Sequence, residues 1–427
     1  MISVLYDVSF LAGHDVPGHR TGIYRVVEQL ARGLAASPDC NLTFCVAAEL
    51  DKSFEHLASD RYLSGIPLAM SKSGQARRKL HDELEQMTRS IETASSEVRR
   101  LYKRAQRKIA YQFYQTAVAR AVPVDRKTLA AADVFHSPYH ALPKQMREAP
   151  HLKKFLTVYD LIALRWPHLF EPGVKDVISN AIGSLAPTDF ALCISEATRN
   201  DLLELRPEFD PERVFVTPLG ASDDFYPCTD AATIARIKEK YGIPRDCDYV
   251  LSLCTLEPRK NVDQAIRCFA RVVKQERLTN LRLVMVGSKG WDYDRIFAAV
   301  AEAGIADYTV FTGFVEDEDL APLYSGALAF IYLSLYEGFG LPPLEAMKCG
   351  TAVITSNTSS LPEVVGDAGK MYDPADGDGI CQGLLDLLSD SELRNEMRQR
   401  SLRRSALFSW ERCARETIAA YEKALSG

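Results

Sequence analysis

The sequence predicts an α/β protein of two doubly wound domains in tandem, facing each other across a central cleft. Three observations predict it. At 427 residues the chain is too long for one ordinary hydrophobic core, and two domains of about 200 residues each is the natural division. Short runs that are apolar on both faces alternate with helical stretches, which is the pattern of parallel strands covered on both sides. Polar and glycine-rich loops fall just after several strand runs, at the edge of such a sheet where ligands bind.

The elements follow in order. ISVLYDVSF reads as a first strand; it lacks the basic start and long apolar core of a signal peptide, which predicts a cytoplasmic protein. The helix GIYRVVEQLARGL and the strand LTFCVA follow, and DVFHSPYH, FLTVYDLIAL and FALCIS continue the series. PLGASDDFYP, residues 218–227, is rich in turn formers and links the halves. From Tyr249 the alternation is regular: YVLSLC, LRLVMVG, TVFTGF, ALAFIYLS and TAVITS are strands separated by helices. The predicted domains are 1–217, 218–403 and a terminal helix over 404–427.

A charged helical insertion at about 72–114 fits neither rhythm. Leu101, Ala105, Ile109 and Phe113 recur every four residues, while Arg99, Arg100, Lys103, Arg104, Arg107 and Lys108 crowd the remainder. Two readings stand: a solvated hairpin whose apolar stripe packs on the body, or a basic amphipathic helix lying peripherally on an anionic membrane.

Composition is that of a globular protein, 47% hydrophobic and 25% charged, with a net charge of −6 that argues against bulk nucleic-acid binding. The 10 cysteines are scattered, without a CxxC pair or metal-ligand spacing, and read as buried thiols. The uncharged run 320–336 is short for a membrane span and broken by Pro322, Ser325 and Gly326.

The chemistry sits in the loops. EPRKN follows YVLSLC, and YEGFG follows ALAFIYLS. Arg259 and Lys260 supply fixed positive charge beside a helix starting near Asn261. A second helix N-terminus, at Leu341–Pro343, follows the GFG loop. Unpaired N–H groups at both helix starts, with glycines that let backbone approach a ligand, make a diphosphate cradle. Neither GxGxxG nor GxxxxGK[ST] is present. Glu337 and Glu345 cannot favourably face phosphate but can accept hydrogen bonds from sugar hydroxyls. A diphosphate flanked by hydroxylated groups is a nucleotide sugar.

EPRKN, LYEGFGLPPLEAM and SNTSSLPEVVGDAG, in that order and spacing, resemble the retaining family 4 of GT-B glycosyltransferases, whose domains are Rossmann-like. The resemblance is dense over residues 249–375 and extends to RTGIYRVVEQLARGL and FSWERCARETIAAYEKAL. It implies roles. Lys260, helped by Arg259, would bind the donor diphosphate; Glu345 would bind ribose hydroxyls, and Glu337 would contact the donor sugar. Backbone around Phe339 and Gly340 would support sugar or phosphate, residues near Gly313 and Phe314 the base, and Gly22 would belong to a glycine loop over the diphosphate. The last helix would cross back onto the first domain, anchored by Trp410.

Two departures stand out. Tyr159 precedes Asp160 where many members carry histidine, and Cys254 and Thr255 stand where a glycine and often an arginine occur. His136 and His140 end a strand and are further candidates for the sugar or acceptor side, with Tyr159 and Asp160. The resemblance is strongest to bacterial mannosyltransferases of polysaccharide or O-antigen assembly. It implies GDP-mannose as donor, a glycan or lipid-linked glycan as acceptor, and retention of configuration; because Lys260, Arg259 and the helix dipoles can neutralise the diphosphate, no metal or cofactor is expected to be required. A transferase using a UDP sugar, and an inactive nucleotide-sugar-binding partner, are the alternatives.

Overall fold

The computed structural model describes residues 1–14, 22–47, 124–170, 173–287, 290 and 294–427, together with 68–69, 79, 83–84, 86–91, 93 and 96–120 of the intervening segment. The first sheet has the strands β1 (Ile2–Asp7), β2 (Cys40–Cys45), β3 (Leu68–Ala69), β4 (Val134–Ser137), β5 (Lys153–Val158), β6 (Phe190–Cys193) and β7 (Val214–Val216). Their order is β3-β2-β1-β4-β5-β6-β7, and every pairing is parallel. The second sheet holds β8 (Asp248–Leu253), β9 (Leu281–Val286), β10 (Thr309–Gly313), β11 (Ala329–Tyr332), β12 (Val353–Ser356) and β13 (Lys370–Tyr372), in the order β10-β9-β8-β11-β12-β13, again all parallel.

Each order reverses direction once, between β1 and β4 in the first sheet and between β8 and β11 in the second. At such a reversal the loops leaving two adjacent strands part to opposite faces and leave a crevice. In the second sheet, Ala329 pairs with Val250, so the loop carrying EPRKN and the loop carrying YEGFG flank that crevice. Topology, not proximity in sequence, assembles the site.

Helices cover the sheets because their apolar residues recur at helical spacing. The Gly22–Ala36 helix buries Tyr24, Val26, Val27, Leu30, Ala31 and Leu34. The Val262–Glu276 helix buries Val262, Ala265, Ile266, Phe269 and Val273 along one side. The last helix, Trp410–Ser426, starts where the Ser409 hydroxyl accepts from the Arg412 N–H at 3.1 Å. It packs against the Gly22–Ala36 helix so closely that a β-carbon on Gly33 would stand 2.8 Å from that of Ala414. Trp410 is buried at this junction, and its backbone closes over Gly220 of the linker.

The helix Glu97–Arg120 departs from the packed reading of the insertion. Its polar side meets the neighbouring segment: Lys103 donates to the Ser90 carbonyl at 2.8 Å and Arg107 to the Thr88 hydroxyl at 2.8 Å. Leu101, Ala105 and Ile109 face solvent. The side chain of Phe113 lies outside the described residues. Among the described residues no helix is long and apolar enough to cross a membrane.

Candidate active site

Glu337 is the centre of the crevice. It is buried, and its carboxylate takes four hydrogen bonds. Oε1 accepts from Lys260 Nζ at 2.6 Å, the Ser334 hydroxyl at 2.6 Å and the Tyr332 hydroxyl at 2.7 Å; Oε2 accepts from Arg259 at 2.9 Å. Tyr332 also stands 2.9 Å from Lys260 Nζ, so one phenol touches both charged groups. Burial by itself would raise the Glu337 carboxyl, but Arg259 and then Lys260 outweigh it and hold the group well below the usual carboxylate range. Arg259 is pulled between burial, which lowers its pKa, and Glu337 and Glu257, which prevail and raise it. Its second partner, Glu257, lies at 2.7 Å, and its guanidinium rests over Phe170 of the first domain at 5.6 Å.

The loop geometry explains the sequence around these groups. Pro258–Lys260 form one 3-10 turn, Asn261 takes a left-handed backbone at φ 51°, and the Val262 helix begins. The Asn261 amide donates to the Leu333 carbonyl at 3.2 Å, and Leu335 N–H to the Arg259 carbonyl at 2.9 Å, tying the two crevice loops together. Gly340 has φ +117°, open to glycine without strain, and starts the Leu341–Lys348 helix with Pro342 and Pro343 in its first turn.

Gly338 is required for a different reason. A β-carbon there would collide with the carbonyl oxygen of Tyr159. The Gly338 carbonyl accepts from the Ser195 hydroxyl at 2.7 Å, and Thr198 bridges it to the Tyr159 carbonyl at 3.3 and 3.1 Å. Glu363 caps the first-domain helix Glu196–Leu205, accepting from the N–H groups of Glu196 at 2.7 Å and Ala197 at 2.8 Å. The two domains therefore meet directly at this loop.

Glu345 lies one turn into its helix, buried, with Oε2 accepting from the Tyr324 hydroxyl at 3.0 Å and Oε1 facing Arg25 at 3.3 Å. Burial raises its pKa against the pull of Arg25. Arg25 comes from the first domain and also pairs with Asp317. Between the domains a cavity of about 290 Å³ is lined by Arg25, Glu28, Asp317, Leu341 and Glu345 among others. Gly22 starts its helix close to this cavity, where an added β-carbon would stand 3.5 Å from Leu341 Cδ1.

The structure thus places Arg259 and Lys260 directly on Glu337, and Leu341 and Glu345 on one cavity with Gly22 beside Leu341. Phe339 is buried and its carbonyl accepts from Ser360 at 2.7 Å. Gly313, at φ +70°, and the half-exposed Phe314 end the edge strand β10, on the same sheet edge but further along it. Asp160 follows β5; burial raises its carboxyl, and Arg259 opposes this most, followed by the Ile162 N–H that it accepts from at 3.1 Å.

His136 is a correction. It does not face the cleft: the ring is fully buried, with Nδ1 2.6 Å from the Tyr421 hydroxyl of the last helix and Nε2 2.7 Å from Thr157. It joins β4, β5 and the terminal helix, and burial lowers its pKa to about 3. Tyr159 is corrected in part. Its main chain meets the GFG loop, but its ring lies by Tyr139 at 6.2 Å, with Cys413 and Tyr6 as its electrostatic neighbours, in the body of the first domain. His140 packs on Tyr139 at 5.1 Å. Arg25, Tyr332, Ser334 and Tyr324 were not singled out by the sequence; Arg25 stands three positions after Gly22 in RTGIYR, which was the one signal pointing to it.

The profile of the family described as glycosyl transferases group 1 matches residues 233–404. The O-antigen chain mannosyltransferase B of Escherichia coli is 33% identical over 290 residues, 68% of this chain and 74% of that protein. This chain belongs to the group 1 glycosyl transferases. Among solved structures, the sucrose-phosphate synthase of Thermosynechococcus elongatus superposes with a TM-score of 0.66 at 20% identity, covering 100% of both chains. Anabaena HepE, solved in complex with UDP-glucose, gives 0.62 at 15% identity over 98% of this chain and 100% of the other. The fold of this glycosyl transferase is GT-B, with the group 1 match spanning the crevice loops, Glu337 and Glu345.

Proposed function

We propose that the protein moves mannose from GDP-mannose to a hydroxyl of a glycan or lipid-linked glycan acceptor in polysaccharide or O-antigen synthesis, keeping the anomeric configuration and requiring no metal. The observation that carries the reading is the cluster of Glu337, Lys260 and Arg259 beside the start of the Leu341–Lys348 helix. The choice of mannose is supported by the likeness to the E. coli mannosyltransferase.

The donor's diphosphate lies against Lys260, Arg259 and the helix N–H groups, and Glu345 receives the ribose hydroxyls. The bond from the anomeric carbon to the phosphate oxygen breaks, and its electron pair leaves on the diphosphate. The acceptor oxygen bonds to the anomeric carbon on the same face, and its proton passes to the departing phosphate oxygen. Lys260 and Arg259 are already fixed by Glu337, so they stabilise the developing charge with little reorganisation. Two cations against Glu337 and Glu257 leave the cluster near neutral, so the helix dipoles matter for holding a dianion. Domain contact at Gly338 shields the anomeric carbon from water.

The test is transfer from GDP-mannose to a lipid-linked glycan fraction, with the new linkage assigned by NMR and the assay repeated in a metal chelator. A retained linkage formed at an undiminished rate in chelator supports the proposal. An inverted linkage, transfer only from a UDP sugar, or loss of activity in chelator contradicts it.

A further inference from the structure

Over residues 98–109 the Glu97–Arg120 helix turns its large apolar residues outward. Val98 is 79% exposed, Leu101 71%, Tyr102 66% and Ile109 58%, and at spacings of three, four and seven these fall on one stripe. Burying such residues is worth much more than burying lysine, yet the helix turns Lys103 and Arg107 to its neighbour instead. Between residues 97 and 114 there are six cations, Arg99, Arg100, Lys103, Arg104, Arg107 and Lys108, against the single acid Glu97. Arg104 and Lys108 are exposed and border the stripe. The chain as a whole carries a net charge of −6, so this concentration of positive charge is local.

We propose that this helix is a membrane-docking surface, lying in the interface of a bilayer that contains anionic lipid. Val98, Leu101, Tyr102 and Ile109 enter the boundary between headgroups and acyl chains, and the flanking cations meet the anionic headgroups. Charge complementarity selects a lipid surface over a second copy of the chain, because two copies of this helix would bring like charges together. At 1.5 Å per residue the helix spans about 36 Å, long enough to fix an in-plane orientation. The inference goes beyond the transfer reaction and does not depend on it.

The test is co-sedimentation of the full chain with vesicles of phosphatidylcholine alone and of phosphatidylcholine with phosphatidylglycerol. Two double variants, Leu101→Ser with Ile109→Ser and Arg104→Glu with Lys108→Glu, run alongside, with circular dichroism confirming the fold. The expected result is binding to the anionic vesicles, weakened by salt, with a loss of about tenfold or more in each variant. Absence of binding to anionic vesicles, or equal binding by the wild type and both variants, overturns the proposal. A stripe-dependent dimer in sedimentation velocity, with no vesicle binding, also overturns it and assigns the surface to a second copy.

Discussion

Glu337 and Glu345 are eight positions apart and both buried, yet their surroundings drive them in opposite directions. Glu337 faces two cations and is held ionised, whereas burial raises Glu345 against the pull of Arg25 and the Tyr324 hydroxyl. Glu345 also lines the cavity between the domains, where the proposed donor would place its ribose. Glu345→Ala should therefore raise the donor KM by about 10- to 100-fold, the loss of a hydrogen bond to a charged group, with a smaller effect on kcat. Steady-state kinetics checks this; an equal fall in kcat with KM unchanged would place Glu345 elsewhere in the reaction. His136 gives a prediction of stability. Its folded pKa is lowered to about 3 by burial, against about 6.5 in an unfolded chain. Between these values the unfolded chain takes up a proton that the folded chain does not. Stability from neutral His136 is thus complete above about pH 6.5 and is lost on acidification towards pH 3, at about 1.4 kcal/mol per pH unit. Melting temperatures of wild type and His136→Gln should converge as pH falls from 7.5 to about 5, and a constant gap would contradict the assignment.

At the scale of elements, the decisive contact is a loop of one domain lying on a strand end of the other. Gly338→Ala would drive a methyl into the Tyr159 carbonyl, at a cost of about 1–3 kcal/mol. The expected outcome is a loss of transfer at least tenfold, with donor binding measured by thermal shift largely retained; unchanged turnover would show that the loop gives way freely. The crevice loops were legible in the sequence because strands announce themselves as short apolar runs, and parallel order puts the following loops on one edge. Prolines and glycines at 338–343 marked the helix start for reasons of backbone geometry. The contacts between segments were not legible. Arg25 reaches Glu345 across 320 positions of sequence, and Tyr332 meets Lys260 across 72. Nor could a strand-end position alone say whether His136 looks into the crevice or, as found, towards Tyr421 of a helix near the other end of the chain. The stripe of the Glu97–Arg120 helix was visible, but periodicity does not say which side is outward.

For the whole molecule, two separate devices join the domains. The last helix belongs structurally to the first domain, through Ala414 against Gly33 and Tyr421 on His136. Across the crevice, Tyr336 donates to Asp201 at 2.8 Å, Glu363 caps the Glu196 helix, and Arg25 bridges to Asp317 and Glu345. The first device is buried, apolar packing closed by the Tyr421–His136 hydrogen bond; the second is polar and rests partly on exposed groups. A donor that inserts its ribose at Glu345 must take over the contact Arg25 now makes. The central claim is that these polar groups form a nucleotide-sugar cleft with Glu337, Lys260 and Arg259 at its reactive end. The most direct measurement is release of nucleotide from GDP-mannose, UDP-glucose and UDP-N-acetylglucosamine without acceptor, for wild type, Glu337→Ala and Lys260→Ala, with thermal shifts recorded for each nucleoside diphosphate. The account predicts slow release from GDP-mannose by the wild type and a fall of about 100-fold or more in both variants. Variants as active as the wild type, or no release together with no thermal shift from any nucleoside diphosphate, would contradict it.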